Sequence, residues 1–339
     1  MASQDGISIT TSGVTLDLMG LELVGVSNSL RGIRATTSEL VADLAIRNGT
    51  VRGWGGHGVA AETTINAQFE RLRLSGNGGH GITVGSSSTL TDCTVANNGG
   101  DGIVAFAICT ISGCTAQLNS GNGISAGLSS RVRDCASDSN GGHGIVTGNA
   151  NAISGCTVRN NTLRGINTGD GSAVSSCAVY DNTGHGIFTG SRCTVSGCTA
   201  TDNGDDGIVP GNDSTVSGCS ASLNTGDGIA FSSRCHVVGN TCSSNGNGGD
   251  GAGIHLTAQD NRIEGNSVTD NDRGIDVDGT GNLISRNSAR GNGSNYEIAA
   301  DNRYGPVIDI GAAGTAAVSG SGTAASTLTS TDPWANFSY

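Results

Sequence analysis

The chain contains no lysine: all 17 basic residues are arginine, and they face 29 acids for a net charge of −12. A Schiff-base lysine and a phosphate-loop lysine are therefore excluded, and an acidic balance of this size argues against a phosphate-tracking surface for nucleic acid. Aromatic residues make up only 3% of the 339 and charged residues 14%, both low for a globular enzyme with a ring-filled core. No apolar run is long enough to span a bilayer. The opening Met1-Ala2-Ser3-Gln4-Asp5-Gly6 has neither a charged n-region nor an apolar h-region, so no secretion leader is read from it. Among the eleven cysteines there is no Cys-x-x-Cys pair, which leaves no zinc knuckle.

In place of these features the chain has glycine, 57 residues of it, and a repeat. Ile82, Ile103, Ile124, Ile145, Ile166, Ile187, Ile208 and Ile229 lie 21 residues apart, each preceded by Gly. The pair recurs at Ile33, Val59, Ile254 and Ile275, with a degenerate copy at Ile298. A second column, Cys93, Cys114, Cys135, Cys156, Cys177, Cys198 and Cys219, keeps the same period and passes to Asn240, Asn266 and Asn287. The third is Asn77, Asn98, Asn119, Asn140, Asn161, Asn182, Asn203 and Asn224.

Within one repeat, short alternating runs are cut by Gly, Asn, Ser and Asp, and no 3.6-residue stripe exists. Short strands at a constant coil length describe an all-β solenoid whose strands pair in parallel at about 4.8 Å per coil. The expectation is a single parallel β-helix of about 12–13 coils over 1–298, with an irregular C-terminal cap over 299–339. Missing leucines exclude leucine-rich repeats, and the lack of a six-residue sub-period excludes hexapeptide helices. Small aliphatics and thiols would fill the narrow coil, leaving the cysteines reduced, because column mates have a poor geometry for disulfides. The Asn column reads as a turn ladder, with Asn in the left-handed region and its amide bonded to the next coil.

These coils, the opening Gly13-Val-Thr-Leu-Asp-Leu18, and late coils such as Asn261-Arg-Ile-Glu-Gly-Asn266 resemble the right-handed parallel β-helix repeat proteins of the pectin-lyase-like superfamily. The tail from Tyr304 to Tyr339 resembles the ending of uncharacterised secreted bacterial members. The resemblance implies a right-handed coil and an extracellular or periplasmic location. It also implies a fold that carries pectate lyases, polygalacturonases and proteins with no known reaction.

Two surface groups are candidates for chemistry. The position two before each Ile holds His57, His80, Asp101, Asn122, His143, Arg164, His185, Asp206, Asp227 and Arg273. Stacking would bring together His185, Asp206 and Asp227, with Asp205 close by and Asp250 in a nearby insertion, as a binding patch; Asp205, Asp206 and Asp227 would be ligands for Ca²⁺. The alternative is a solvated turn position that accepts any polar residue. The second group follows the insertion between Asn245 and Ile254, where outward positions become His255 and Asp276, with Asp278 and Arg273 on the same face. Acid, base and arginine together suit uronic-acid chemistry. A third face of threonine and serine, interrupted by Arg131 and Arg133, offers hydroxyls to ice or a crystalline glycan. Two functions follow: a structural or polysaccharide-binding solenoid, favoured by the evenness of the coils, or a lyase or glycoside hydrolase of acidic glycans using His255, Asp276, Asp278 and Arg273.

Overall fold

A computed structural model of the chain describes residues 4–35, 40–246, 249, 251–309 and 333–338. Strands and turns account for the described residues, with no helix among them. The chain divides into two compact units, Met1–Gly169 and Asp170–Tyr339.

In the first unit the Gly-Ile strands stack in parallel and in register: Ile82 faces Ile103, which faces Ile124, which faces Ile145. Each coil adds two further short strands, such as Thr89–Thr91 and Thr94–Ala96, paired to their counterparts one coil on. Three strands need three corners, and every corner is built alike. A residue at positive φ (Ser87 at 59°, Asp92 at 54°, Asn97 at 55°) turns the chain, and the residue after it points inward: Ser88, Cys93 and Asn98 are each about 1% exposed. This corrects the expectation that the ladder asparagines themselves occupy the left-handed region. The residue before them does, because the corner must be completed before the amide can enter the coil.

Once inside, the amide of each Asn is shared between coils. Asn98 donates from Nδ2 and from its backbone N to Oδ1 of Asn119, at 2.9 and 3.2 Å, and Asn119 repeats this toward Asn140. A buried amide left alone would lose its hydrogen bonds with water and gain nothing. Stacking identical residues at one strand spacing satisfies every member except the last.

The second unit follows the same plan with strands Ile187–Thr189, Ile208–Val209, Ile229–Phe231, Ala252–Leu256, Arg273–Val277 and Ser294–Ile298. Its asparagine ladder runs from Asn182 through Asn203, Asn224, Asn245 and Asn271 to Asn292. Two more amide ladders start where cysteine or serine gives way: Asn240, Asn266, Asn287 and Asn336 at one corner, Asn261, Asn282 and Asn302 at another. Asn336 lies in the tail expected to be an irregular cap. The described tail strand Asn336–Ser338 instead pairs with the coil before it, Ser288 opposite Phe337, while residues 310–332 and 339 of that expected cap lie outside the described residues.

The glycine before each Ile has a steric cause. A Cβ on Gly207 would lie 2.6 Å from the carbonyl oxygen of Gly228 and 2.7 Å from Nδ2 of Asn224, both in the next coil. The core behind it is aliphatic and sulfur, with all eleven cysteines free and at most 3% exposed. Burial pushes the thiols of Cys109, Cys235 and Cys242 up, so little thiolate is present to react.

Gly207→Ala should destabilise the protein by about 1–3 kcal/mol through overpacking, and Asn224→Ala by a similar ~1–3 kcal/mol by leaving the two Asn203 donors without their acceptor. Urea denaturation of the variants checks both. The thiols should react with a thiol reagent only on unfolding; rapid native-state reaction of most of them would place them outside the core.

Candidate functional site

The column two residues before each Ile turns out to have a structural task. His57 Nδ1 accepts a hydrogen bond from the backbone N–H of His80 at 2.8 Å, His80 Nδ1 accepts one from Asp101, Asp101 Oδ1 one from Asn122, and Asn122 Oδ1 one from His143. Where the residue can accept, its side chain takes a hydrogen bond from the next coil; Arg164, whose side chain has no acceptor, donates its own backbone N–H to His143 Nδ1 and ends this series. Burial holds His57 and His143 below the usual histidine range, with Arg164 adding to the effect on His143, which suits neutral rings with a free lone pair.

In the second unit the same chain of acceptors leads to the other group. His185 Nδ1 accepts from Asp206 N at 3.3 Å, Asp206 Oδ1 from Asp227 N at 2.7 Å, and Asp227 Oδ1 from Ala252 N at 2.6 Å. Alanine has no side-chain acceptor, so the ladder ends there. Asp227, its last acid, keeps a second oxygen in reserve, and Oδ2 lies 2.8 Å from His255 Nδ1.

The other imidazole nitrogen faces two more carboxylates. His255 Nε2 is 3.2 Å from Asp278 Oδ2 and 3.9 Å from Asp276 Oδ2. Asp276 Oδ2 in turn lies 2.6 Å from Arg273 Nη1, which also faces Glu297 at 3.9 Å. Strand register dictates this grouping: His255 sits opposite Asp276, and Asp276 opposite Glu297. Asp276 was expected to point outward as a reachable group, but it is 1% exposed, covered by its neighbours, and no hydrogen-bond donor reaches its Oδ1. Asp278 is the open member, with its side chain 63% exposed.

Charge follows from this geometry. The hydrogen bond that His255 Nδ1 donates to Asp227 holds the imidazolium and raises its pKa to about 9. Burial raises Asp276 to about 6, against the pull of Arg273, and burial likewise raises Asp206 to about 6. An acid and a carboxylate shifted toward opposite sides of neutrality are the equipment of proton transfer.

The sequence profile described as the right-handed β-helix region matches residues 31–175 and 146–292, well over half of the chain. The chain belongs to the right-handed β-helix family. In fold, this β-helix is similar to the A-module of the mannuronan C-5 epimerase AlgE4 from Azotobacter vinelandii, at 14% identity and a TM-score of 0.57, covering 70% of this chain and 80% of that one. Two variants of the periplasmic alginate epimerase AlgG are similar at 14% identity, with TM-scores of 0.50 and 0.51 and coverage of 88% of this chain and 77% of theirs. No curated protein matches the β-helix in sequence.

Of the residues singled out from the sequence, the structure brings His255, Arg273, Asp276 and Asp278 together and adds Asp227, which had been grouped with the acids for Ca²⁺. His185 lies 3.3 Å from Asp205 and 3.5 Å from Asp206. Asp227 turns from that trio to His255, and Asp250 lies outside the described residues. Ca²⁺ takes six to eight oxygens, and one oxygen of Asp206 and both of Asp227 are already engaged. A cation beside Asp205 would therefore draw most of its shell from water or a ligand. Glu297 escaped the sequence reading although its 21-residue spacing from Asp276 was there to find.

The pKa of His255 in the folded state lies above its value of 6.5 when unfolded, so its contribution to stability is full below pH 6.5 and disappears as pH rises through about 9. His255→Asn should remove that part of the pH dependence of urea unfolding. An unchanged slope between pH 6.5 and 9 would show that Asp227 does not hold an imidazolium.

Proposed function

We propose that this β-helix is a polysaccharide-modifying enzyme that acts on uronic-acid glycans by proton transfer at His255. One observation carries the reading: an imidazole clamped at Nδ1 by Asp227 and flanked at Nε2 by the exposed Asp278, with an arginine beside it, on an open sheet face. The similar folds named as mannuronan and alginate epimerases lend support, since their named substrates are uronic-acid polymers.

The chemistry follows from the charges. A proton next to a sugar carboxylate leaves only if the charge that moves into the carboxylate is balanced, and Arg273 is the cation for that task. Asp278 takes the C5 proton, and the C–H electron pair moves into the carboxylate. His255, protonated at neutral pH with its pKa at about 9, then gives its Nε2 proton. Delivered to the bridging oxygen as the C4–O bond breaks and the electron pair returns to form the C4–C5 double bond, it completes an elimination, with acid and base on the same side of the sugar as their 3.2 Å contact requires. Asp227 acts through His255 as a positioning residue, and Asp276 does so through Arg273.

The polymer would run across the coils. Phe188 pairs with Val209, the register of Ile208 with Ile229 places Ala230 next, and Ala230 pairs with His255. At about 4.8 Å per coil, this floor of small residues sets Phe188 about 14 Å from His255, as a ring for a sugar to stack on.

A second reading, a saccharide-binding solenoid without turnover, is favoured by the acceptor ladder, which accounts for His185 and Asp206 without any reaction. The two separate by product analysis on polyuronates. Turnover should follow a bell in pH, with limbs near 6, where Asp276 must ionise to hold Arg273, and near 9, where His255 loses its proton. His255→Ala should lower kcat by about 10²–10⁴-fold, and Phe188→Ala should raise KM with kcat retained. Binding of polyuronate with no product at any pH would leave the second reading.

A further inference from the structure

A depression of about 360 Å³ opens on the first unit, away from the Gly-Ile sheet, lined by Asn48, Thr50, Arg71, Arg73, Asp92 and Thr94 among others. It is the size of a small ligand pocket. Arg71 is held in place, its Nε donating to Asn48 Oδ1 at 2.8 Å and its Nη1 lying 2.5 Å from Glu70.

Arg73 differs from most arginines of this unit. Arg47, Arg52 and Arg159 each pair with an acid one or more coils away, Asp17, Glu22 and Asp138. Arg73, Arg131 and Arg133 have no such partner among the described residues. All three are exposed, and they flank one corner of the coil, the one turned by Arg71, Asp92, Gly113 and Asp134, whose adjoining strands carry hydroxyls. Arg73 lies opposite Thr94, and Thr94 opposite Thr115; on the neighbouring strand column Thr89 lies opposite Thr110, and Thr110 opposite Arg131. Three coil spacings, about 14 Å, separate the arginine pair 71/73 from the pair 131/133.

Charge along the chain points the same way. Residues 1–169 carry 10 arginines against 11 acids, whereas residues 170–339 carry 7 against 18. A polyanion therefore meets far less repulsion on the first unit, and guanidinium groups with no acid partner bind carboxylates in bidentate fashion.

We infer that the Arg71/Arg73 depression and the Arg131/Arg133 pair form an accessory binding edge for acidic oligosaccharides along this corner of the coils, with hydroxyls on the adjoining strands to meet the sugar. It is separate from the His255 group and does not depend on the reaction there. Thr and Ser supply hydrogen bonds that suit any sugar, so selectivity for acidic glycans rests on the three guanidinium groups without an acid partner, Arg73, Arg131 and Arg133, with Arg71 tied to Glu70.

The test is calorimetric titration of the full chain with an oligogalacturonate hexamer, a shorter oligomer and a neutral malto-oligosaccharide, each with and without His255→Ala. Arg73→Gln combined with Arg71→Asn, where asparagine tolerates the left-handed turn, should weaken hexamer binding at least tenfold, with an unaltered urea midpoint as the folding control. Arg131→Gln with Arg133→Gln should weaken the hexamer several-fold and leave the shorter oligomer, which reaches only one pair, unaffected. Affinity should fall with added salt. Equal affinity for the neutral oligosaccharide, or hexamer binding that survives both double variants, would overturn the inference; loss of binding in His255→Ala alone would assign the glycan to the other site and overturn it as well. Failure of turnover at His255 with binding intact would sink the proposed reaction and leave this edge standing.

Discussion

Everything in this fold depends on backbone and amide groups of successive coils meeting at one strand spacing. Oδ1 of each ladder asparagine accepts two donors from the coil before it, so the residue cannot vary without leaving a buried donor unmatched. The same close approach removes any side chain from the glycine ahead of each isoleucine, where a Cβ would strike the next coil's carbonyl and amide. Glycine and asparagine are frequent here because the stacking distance permits little else at those positions, and rings are scarce because the coil is too narrow to hold many.

The His255 group grows out of this regularity at the point where it lapses. From coil to coil, an acceptor side chain takes the backbone N–H of its successor, until the successor is Ala252 and the series stops. Asp227 then has one oxygen engaged by the backbone, which orients the carboxylate, and one free to face His255. A scaffold whose side chains are consumed by structural bonds thus yields a directed carboxylate at the end of a column. Arg273 and the buried Asp276 follow one coil later, in a setting where few solvent molecules screen their charges.

Most of the architecture was legible in the order of residues. Isoleucine, cysteine and asparagine columns at one period imply parallel coils, and the register found between strands is that period. His255, Asp276 and Asp278 could be placed near one another from the sequence because two of them share a column and the third follows two residues later, just past the strand end. The bond from Asp227 to His255 was not legible: the extra residues before Ile254 shift the count between coils, and the two residues sit in different columns. Nor could spacing show that the left-handed backbone belongs to the residue before each asparagine, since both positions are rich in turn-forming residues.

Sequence alone determined the coil, its period, its parallel pairing and its thiol-lined interior, because each reports a local rule repeated many times and repetition averages out exceptions. Tertiary structure alone decided which acid orients His255, that Asp276 is buried while Asp278 stays open, and which arginines lack partners. Those outcomes rest on ångström-scale contacts between side chains of different coils, made once each, and a contact made once leaves no period to read.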